Sequence, residues 1–166
     1  MTVGAGEELV SIGELFIKAR SITNNGTIAS ATDNLTLQTT GNILNSGLLY
    51  AGGDWLSLRS NGDISNNGGT ILAAGGMVIC GARTTNCTTD LGADRANSLT
   101  NSNGGVIETL NGDMYLAANT ILNERDGPAV VTVSGPENAT SVTVGRDTCS
   151  TFFCLGDDSD HYYKNI

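Results

Sequence analysis

Three stretches decide the fold: Ser21-Ile-Thr-Asn-Asn-Gly-Thr-Ile28, Asn42-Ile-Leu-Asn-Ser-Gly-Leu-Leu49 and Asp63-Ile-Ser-Asn-Asn-Gly-Gly-Thr-Ile71. Their apolar anchors Ile22, Ile43 and Ile64 recur every 21 residues, each followed two positions on by Asn24, Asn45 or Asn66. A glycine follows two positions later still, at Gly26, Gly47 and Gly68. The second half of each unit keeps register, with Asp33, Asp54 and Gly75 preceding the pairs Leu35 and Leu37, Leu56 and Leu58, Met77 and Ile79. A fixed period of this length is the signature of a repeat architecture in which each unit buries its apolar side against the next.

Working outward, Gly13-Glu14-Leu15-Phe16-Ile17 copies the second half of a unit, so residues 7–20 read as a partial first rung. Downstream, the next anchor is Leu99, 35 residues after Ile64, which leaves about 14 residues beyond the period. Those residues, about 81–96, are polar and form an insertion in one turn. The pattern then resumes with Leu99 and Asn101, and again with Ile121 and Asn123 after 22 residues. Beyond Gly127-Pro128 it fails. Residues 129–133 and 141–144 alternate as strands, and the tail gathers Phe152, Phe153, Tyr162 and Tyr163.

A unit of 21 residues is too short for a helical repeat and lacks leucine-rich spacing. Its apolar alternation reads as short strands, and its Asn-Gly and Gly-Asp steps read as turns. The expected fold is all-β: a parallel β-helix, or solenoid, of three-strand coils stacked about 4.8 Å apart. A chain of this length is expected to hold roughly six to eight units. Stacked asparagines tolerate tight turns and hydrogen-bond along the axis, so Asn24, Asn45, Asn66, Asn101 and Asn123 are expected to form a structural ladder.

Composition narrows function. The chain has 166 residues, 8 basic against 17 acidic side chains, 22 glycines and 2 prolines. No Lys or Arg block offers a footprint for nucleic acid, and no apolar run approaches the roughly 20 residues that span a bilayer. No signal peptide is evident at Met1, which reads as the start of an excised piece if the repeats belong to a longer array. The four cysteines form two close pairs, Cys80 with Cys87 and Cys149 with Cys154. With His161 the single histidine, no zinc site is evident, and two small-loop disulfides in an oxidising compartment read better than free buried thiols.

Catalysis finds little support. Asp54, Asp63 and Asp113 are the carboxylates that a polysaccharide-cleaving β-helix would need, but their place at repeated turns favours a structural role. Asp157, Asp158 and Asp160 with His161 could hold calcium; a solvated acidic loop is the simpler reading. No enzyme activity, cofactor or metal is expected. The Asn-x-Thr steps at Asn25 and Asn138 match a glycan acceptor, as chance alone would give in so Asn- and Thr-rich a chain.

The phrases Asn66-Asn-Gly-Gly-Thr-Ile-Leu-Ala-Ala-Gly-Gly76, Asn111-Gly-Asp-Met-Tyr-Leu-Ala-Ala118 and Thr120-Ile-Leu-Asn-Glu-Arg-Asp-Gly127 resemble the haemagglutinin repeats of filamentous-haemagglutinin-like exoproteins. That group includes the CdiA-type effectors of contact-dependent growth inhibition. The resemblance spans about residues 21–127. It implies a right-handed parallel β-helix, export through an outer-membrane two-partner-secretion transporter, and display at the bacterial surface. The organisation it implies is a haemagglutinin-repeat β-helix over residues 1–127 and an irregular extension or cap over 128–166, where a receptor-binding region would begin.

Recognition by a rigid stalk usually lies in its irregular parts. The candidate contacts are therefore Arg83, Asp90 and Arg95 in the insertion, and Phe152, Phe153, Tyr162 and Tyr163 in the tail, where the aromatics serve equally well as a cap over the coil end. The expected partner is a protein receptor on a neighbouring cell, taken as a bacterial outer-membrane protein. A host-cell adhesin and a purely structural filament segment are the alternatives.

Overall fold

The structure, a computed structural model, describes residues 1–83, 87 and 94–124. Among the described residues, sixteen strands follow one another, three to a coil. The first coil contains β1 (Thr2–Val3), β2 (Glu8–Ser11) and β3 (Leu15–Ala19), and the second contains β4 (Ile22–Asn24), β5 (Thr27–Ser30) and β6 (Leu35–Thr39). The third has β7 (Ile43–Asn45), β8 (Leu48–Ala51) and β9 (Trp55–Ser60); the fourth has β10 (Asp63–Asn67), β11 (Thr70–Ala73) and β12 (Gly76–Cys80). The fifth has β13 (Ala96–Ser102), β14 (Val106–Thr109) and β15 (Met114–Leu116), and β16 (Ala118–Asn123) opens another.

Every strand pairs in parallel with its counterpart one coil away. The result is three sheets, ordered β1-β4-β7-β10-β13-β16, β2-β5-β8-β11-β14 and β3-β6-β9-β12-β15. They are called sheets A, B and C below. Among the described residues, consecutive strands do not pair with each other, since each turn carries the chain to the next sheet. The fold is a parallel β-solenoid with coils about 21 residues apart, as the repeat demands.

Sheet pairing superimposes like on like. Ile22, Ile43, Ile64 and Leu99 share one register in sheet A, and Ile28, Leu49, Ile71 and Ile107 share one in sheet B. Leu35, Leu56, Met77 and Met114 form a third column, with Leu37, Leu58, Ile79 and Leu116 beside it in sheet C. The members of the middle coils are fully buried. Because strand side chains alternate with period two, one apolar residue in two is enough to fill the interior. Each such side chain contributes about 1.5–3 kcal/mol of burial, most of it offset by the entropy of ordering the chain.

At the corner between sheets A and B the asparagines form a continuous chain of hydrogen bonds. Asn24 Nδ2 donates to Asn45 Oδ1 at 2.8 Å, Asn45 Nδ2 to Asn66 Oδ1 at 2.8 Å, Asn66 Nδ2 to Asn101 Oδ1 at 2.7 Å and Asn101 Nδ2 to Asn123 Oδ1 at 2.9 Å. The second amide hydrogen goes to a backbone carbonyl: Leu48 takes that of Asn24, Gly69 that of Asn66 and Gly105 that of Asn101. A buried polar column is tolerated because its groups are paired. Two further corners are lined with small hydroxyls that close the turns. Ser30 Oγ donates to the Gly13 carbonyl, and Thr39 and Ser60 both donate to that of Gly41.

Two details differ from the sequence reading. The first coil is complete rather than partial: Thr2 and Val3 pair with Thr23 and Asn24, so Val3 occupies the ladder position and removes its marker. The residue equivalent to Gly26 and Gly47 is Gly69, since Thr27, Leu48 and Thr70 share a register. Gly68 is an added residue with φ of +68°, a left-handed turn that glycine adopts at little cost. At Gly69 itself a Cβ would sit 2.8 Å from Asn66 Oδ1, which is why the corner beside the ladder takes glycine. The described residues make five full coils plus β16.

Candidate functional site

The outer face of sheet C departs from repetition, and the insertion is responsible. Strand β12 points Met77 and Ile79 inward, which leaves Gly76, Val78 and Cys80 on the outside. Outward residues of a solenoid are normally wet, yet Val78 and Cys80 are buried. They form a second, small hydrophobic cluster with Cys87 and Ala117, and Tyr115 packs against it. A disulfide joins Cys80 to Cys87, with Cα atoms 6.2 Å apart.

The entry of the insertion is fastened to the two preceding coils, and its exit to the following one. Gln38 Nε2 donates to the Ala82 carbonyl at 2.8 Å, and the Ala82 N–H donates to Asn61 Oδ1 at 3.1 Å. Asp94 staples the two ends to each other: its buried carboxylate accepts the Arg83 N–H at 2.5 Å, and its carbonyl accepts the Gly81 N–H at 3.1 Å. A side chain at Gly81 would collide with that carboxylate. At the exit, Arg95 Nη1 donates to the Ala118 carbonyl at 3.2 Å.

Of the residues expected to make contacts, Arg83 stands exposed at the start of the insertion and Arg95 is half-buried against the coil. Asp90, Phe152, Phe153, Tyr162, Tyr163, Cys149 and Cys154 lie outside the described residues, as do Asn138, Asp157, Asp158, Asp160 and His161. The spacing of the insertion marked its place but not its fastenings. Asp94, Gln38 and Asn61 give no periodic signal, although Gly81 and Asp94 bracket the segment.

Beside the insertion, two aromatics meet across an intervening coil. Trp55 and Tyr115 have ring centroids 6.1 Å apart with planes tilted by 37°. They meet because the residue between them in the stack is Gly76, in register with Trp55 on one side, while Val78 pairs with Tyr115 on the other. The indole occupies the space a side chain would take, with ring carbons 2.7–3.0 Å from a Cβ at Gly76.

The three carboxylates considered for catalysis stand apart in role. Asp63, on the outside of sheet A, accepts hydrogen bonds from Ser98 Oγ at 2.7 Å and Asn97 Nδ2 at 2.6 Å. Those donors, Ser98 first, hold its carboxyl below the usual carboxylate range. Asp54 and Asp113 sit at the entry turn of sheet C, where their carbonyls accept the N–H groups of Gly76 and Met77. Among the described residues, no group of three or more His, Cys, Asp or Glu is arranged to hold a metal ion.

A family model described as the haemagglutinin repeat matches residues 10–68 and 56–135. Comparison with curated proteins and with solved structures returns no match. The two overlapping matches cover most of the chain, and within the described residues they follow the coil stack and the insertion it carries. A filamentous haemagglutinin-like segment of this kind points to a secreted or surface-exposed protein, and on that match the chain belongs to the haemagglutinin-repeat family.

Proposed function

We propose that this chain is a non-catalytic recognition segment of a surface-displayed exoprotein, in which the solenoid is a rigid stalk and the insertion over sheet C contacts a receptor on a neighbouring cell. The setting we favour is contact-dependent growth inhibition between bacteria, of the CdiA type, with a bacterial outer-membrane protein as the receptor. Export would use a two-partner-secretion transporter. The observation behind this reading is that the insertion is fixed to the stack at its described points: a disulfide, a small core shared with the adjoining coils and the Asp94 staple. Loops held on a rigid scaffold are preferred places for binding, and a stalk that only extends reach has no use for such a feature. A four-cysteine chain that must pass a pore unfolded is also better served by bridges between near neighbours, such as the seven-residue separation here.

The test is binding of the purified protein to intact bacteria and, in parallel, to host cells, with and without residues 81–95. Saturable binding to bacteria that vanishes with the deletion supports the reading. Binding to host cells alone favours a host adhesin of the filamentous haemagglutinin type, and no binding to either reduces the segment to stalk.

A further inference from the structure

We infer that the Trp55–Tyr115 pair, with the carboxylate of Asp113, is a docking site for an arginine side chain of a protein partner. The inference rests on the receptor reading above and gives that receptor segment a chemistry. Both rings are half-buried on the outer face of sheet C, and Tyr115 packs against the cluster built by the disulfide. The aromatic pair is therefore continuous with the base of the insertion.

Geometry selects the ligand class. With centroids 6.1 Å apart and a tilt of 37°, the rings stand too close for a cation to fit between them, and each keeps part of its surface exposed. A planar group must lie on top, as a guanidinium does on an indole. Charge selects the sign. Asp113 is exposed two residues before Tyr115, and the tyrosine hydroxyl donates toward its Oδ2 at 3.4 Å. Asp54, also exposed, precedes Trp55 directly. Carboxylates beside aromatic faces favour a cation and repel an anion, in keeping with a net charge of −9. Arginine fits better than lysine because its fork can engage a carboxylate while its plane stacks.

Backbone bonds hold the parts in place. The Gly76 N–H donates to the Asp54 carbonyl at 2.7 Å and the Met77 N–H to that of Asp113 at 2.9 Å, so three successive coils fix the two carboxylate-bearing turns. Gly76 is the element on which the pair depends, since any side chain there would lift the indole.

Trp55 is the chain's single tryptophan, so its emission reports on the site directly. The experiment is titration of the intact protein with a capped Gly-Arg-Gly-Arg-Gly peptide, with lysine and glutamate versions and a neutral oligosaccharide in parallel. The expected result is a saturable change with the arginine peptide, a weaker one with lysine and none with glutamate or sugar. Asp113→Asn should weaken the arginine response about tenfold, the scale of one charge-assisted contact, and added salt should weaken it too. Tyr115→Leu should abolish it, whereas Tyr115→Phe, which keeps the ring and its packing, should retain most of it. A flat titration, an equal response to the glutamate peptide, or saturation by the sugar instead overturns the inference. Cell binding that persists while the peptide titration is flat overturns this inference alone; a peptide response without cell binding supports it and removes the receptor reading.

Discussion

Strand β12 faces two interiors, and they were built by different means. On its inner side Met77 and Ile79 join columns that every coil extends, so the packing is a consequence of repetition. On its outer side Val78 and Cys80 are buried in a cluster that occurs once, with Cys87 of the insertion and Ala117 and Tyr115 of the next coil, held by a disulfide, one staple and a few hydrogen bonds. The inner core gains stability from many equivalent layers, as expected when each repeat contacts only its neighbours. The outer one is local, and its loss should leave the stack standing.

The sharpest way to break that contrast is to damage the stack. Leu58→Ala removes a fully buried side chain in the third coil and should cost about 2–5 kcal/mol, read as a lowered cooperative transition in thermal or urea unfolding. Asn66→Ala comes next. It strands the Asn45 donor and the Asn101 acceptor together with the Gly69 carbonyl, and should cost about 2–3 kcal/mol for the buried groups left unpaired. The same measurement checks it, and a neutral outcome would mean that backbone pairing alone holds this corner.

The outer core should respond differently. Replacing Cys80 and Cys87 together by serine opens a small loop whose closure is worth about 2 kcal/mol. That loss should appear as faster hydrogen exchange and proteolysis at the insertion, with the main unfolding transition nearly unmoved. A global fall as large as that of Leu58→Ala would erase the distinction drawn between the two interiors. The smallest effect concerns Asp63. Its folded-state carboxyl is held below the ordinary value, so its contribution is present above about pH 4 and fades as pH falls through the lowered value. Asp63→Asn should flatten that acid slope slightly in melting curves recorded from pH 5 to pH 2.5.

What could be read from sequence follows the same division. Whatever repeats was legible: the apolar positions of the columns, the Asn24 to Asn123 ladder and the place of the insertion all derive from one period. Errors arose where a repeat is interrupted by a single residue. Gly68 and Gly69 are chemically identical, and only the register of Thr70 with Leu48 tells which one continues the column. Val3 hid a complete first coil because it lacks the amide that marks its fellows. On the outer face nothing repeats, so Trp55, Tyr115 and Asp94 carried no periodic signal. Their meaning depends on which coils lie beside them, a relation across 60 residues of chain in the aromatic pair.

The asparagine ladder has one more property, which is direction. Every side-chain bond runs the same way, with the amide of the earlier coil donating to the carbonyl of the later one. Their dipoles therefore add head to tail, and each bond polarises the next. A finished coil presents an oriented donor to the chain that follows and an acceptor to the chain that precedes. The seam therefore has two chemically different ends: a coil added on the carboxy-terminal side meets an amide donor, and one added on the amino-terminal side meets a carbonyl oxygen.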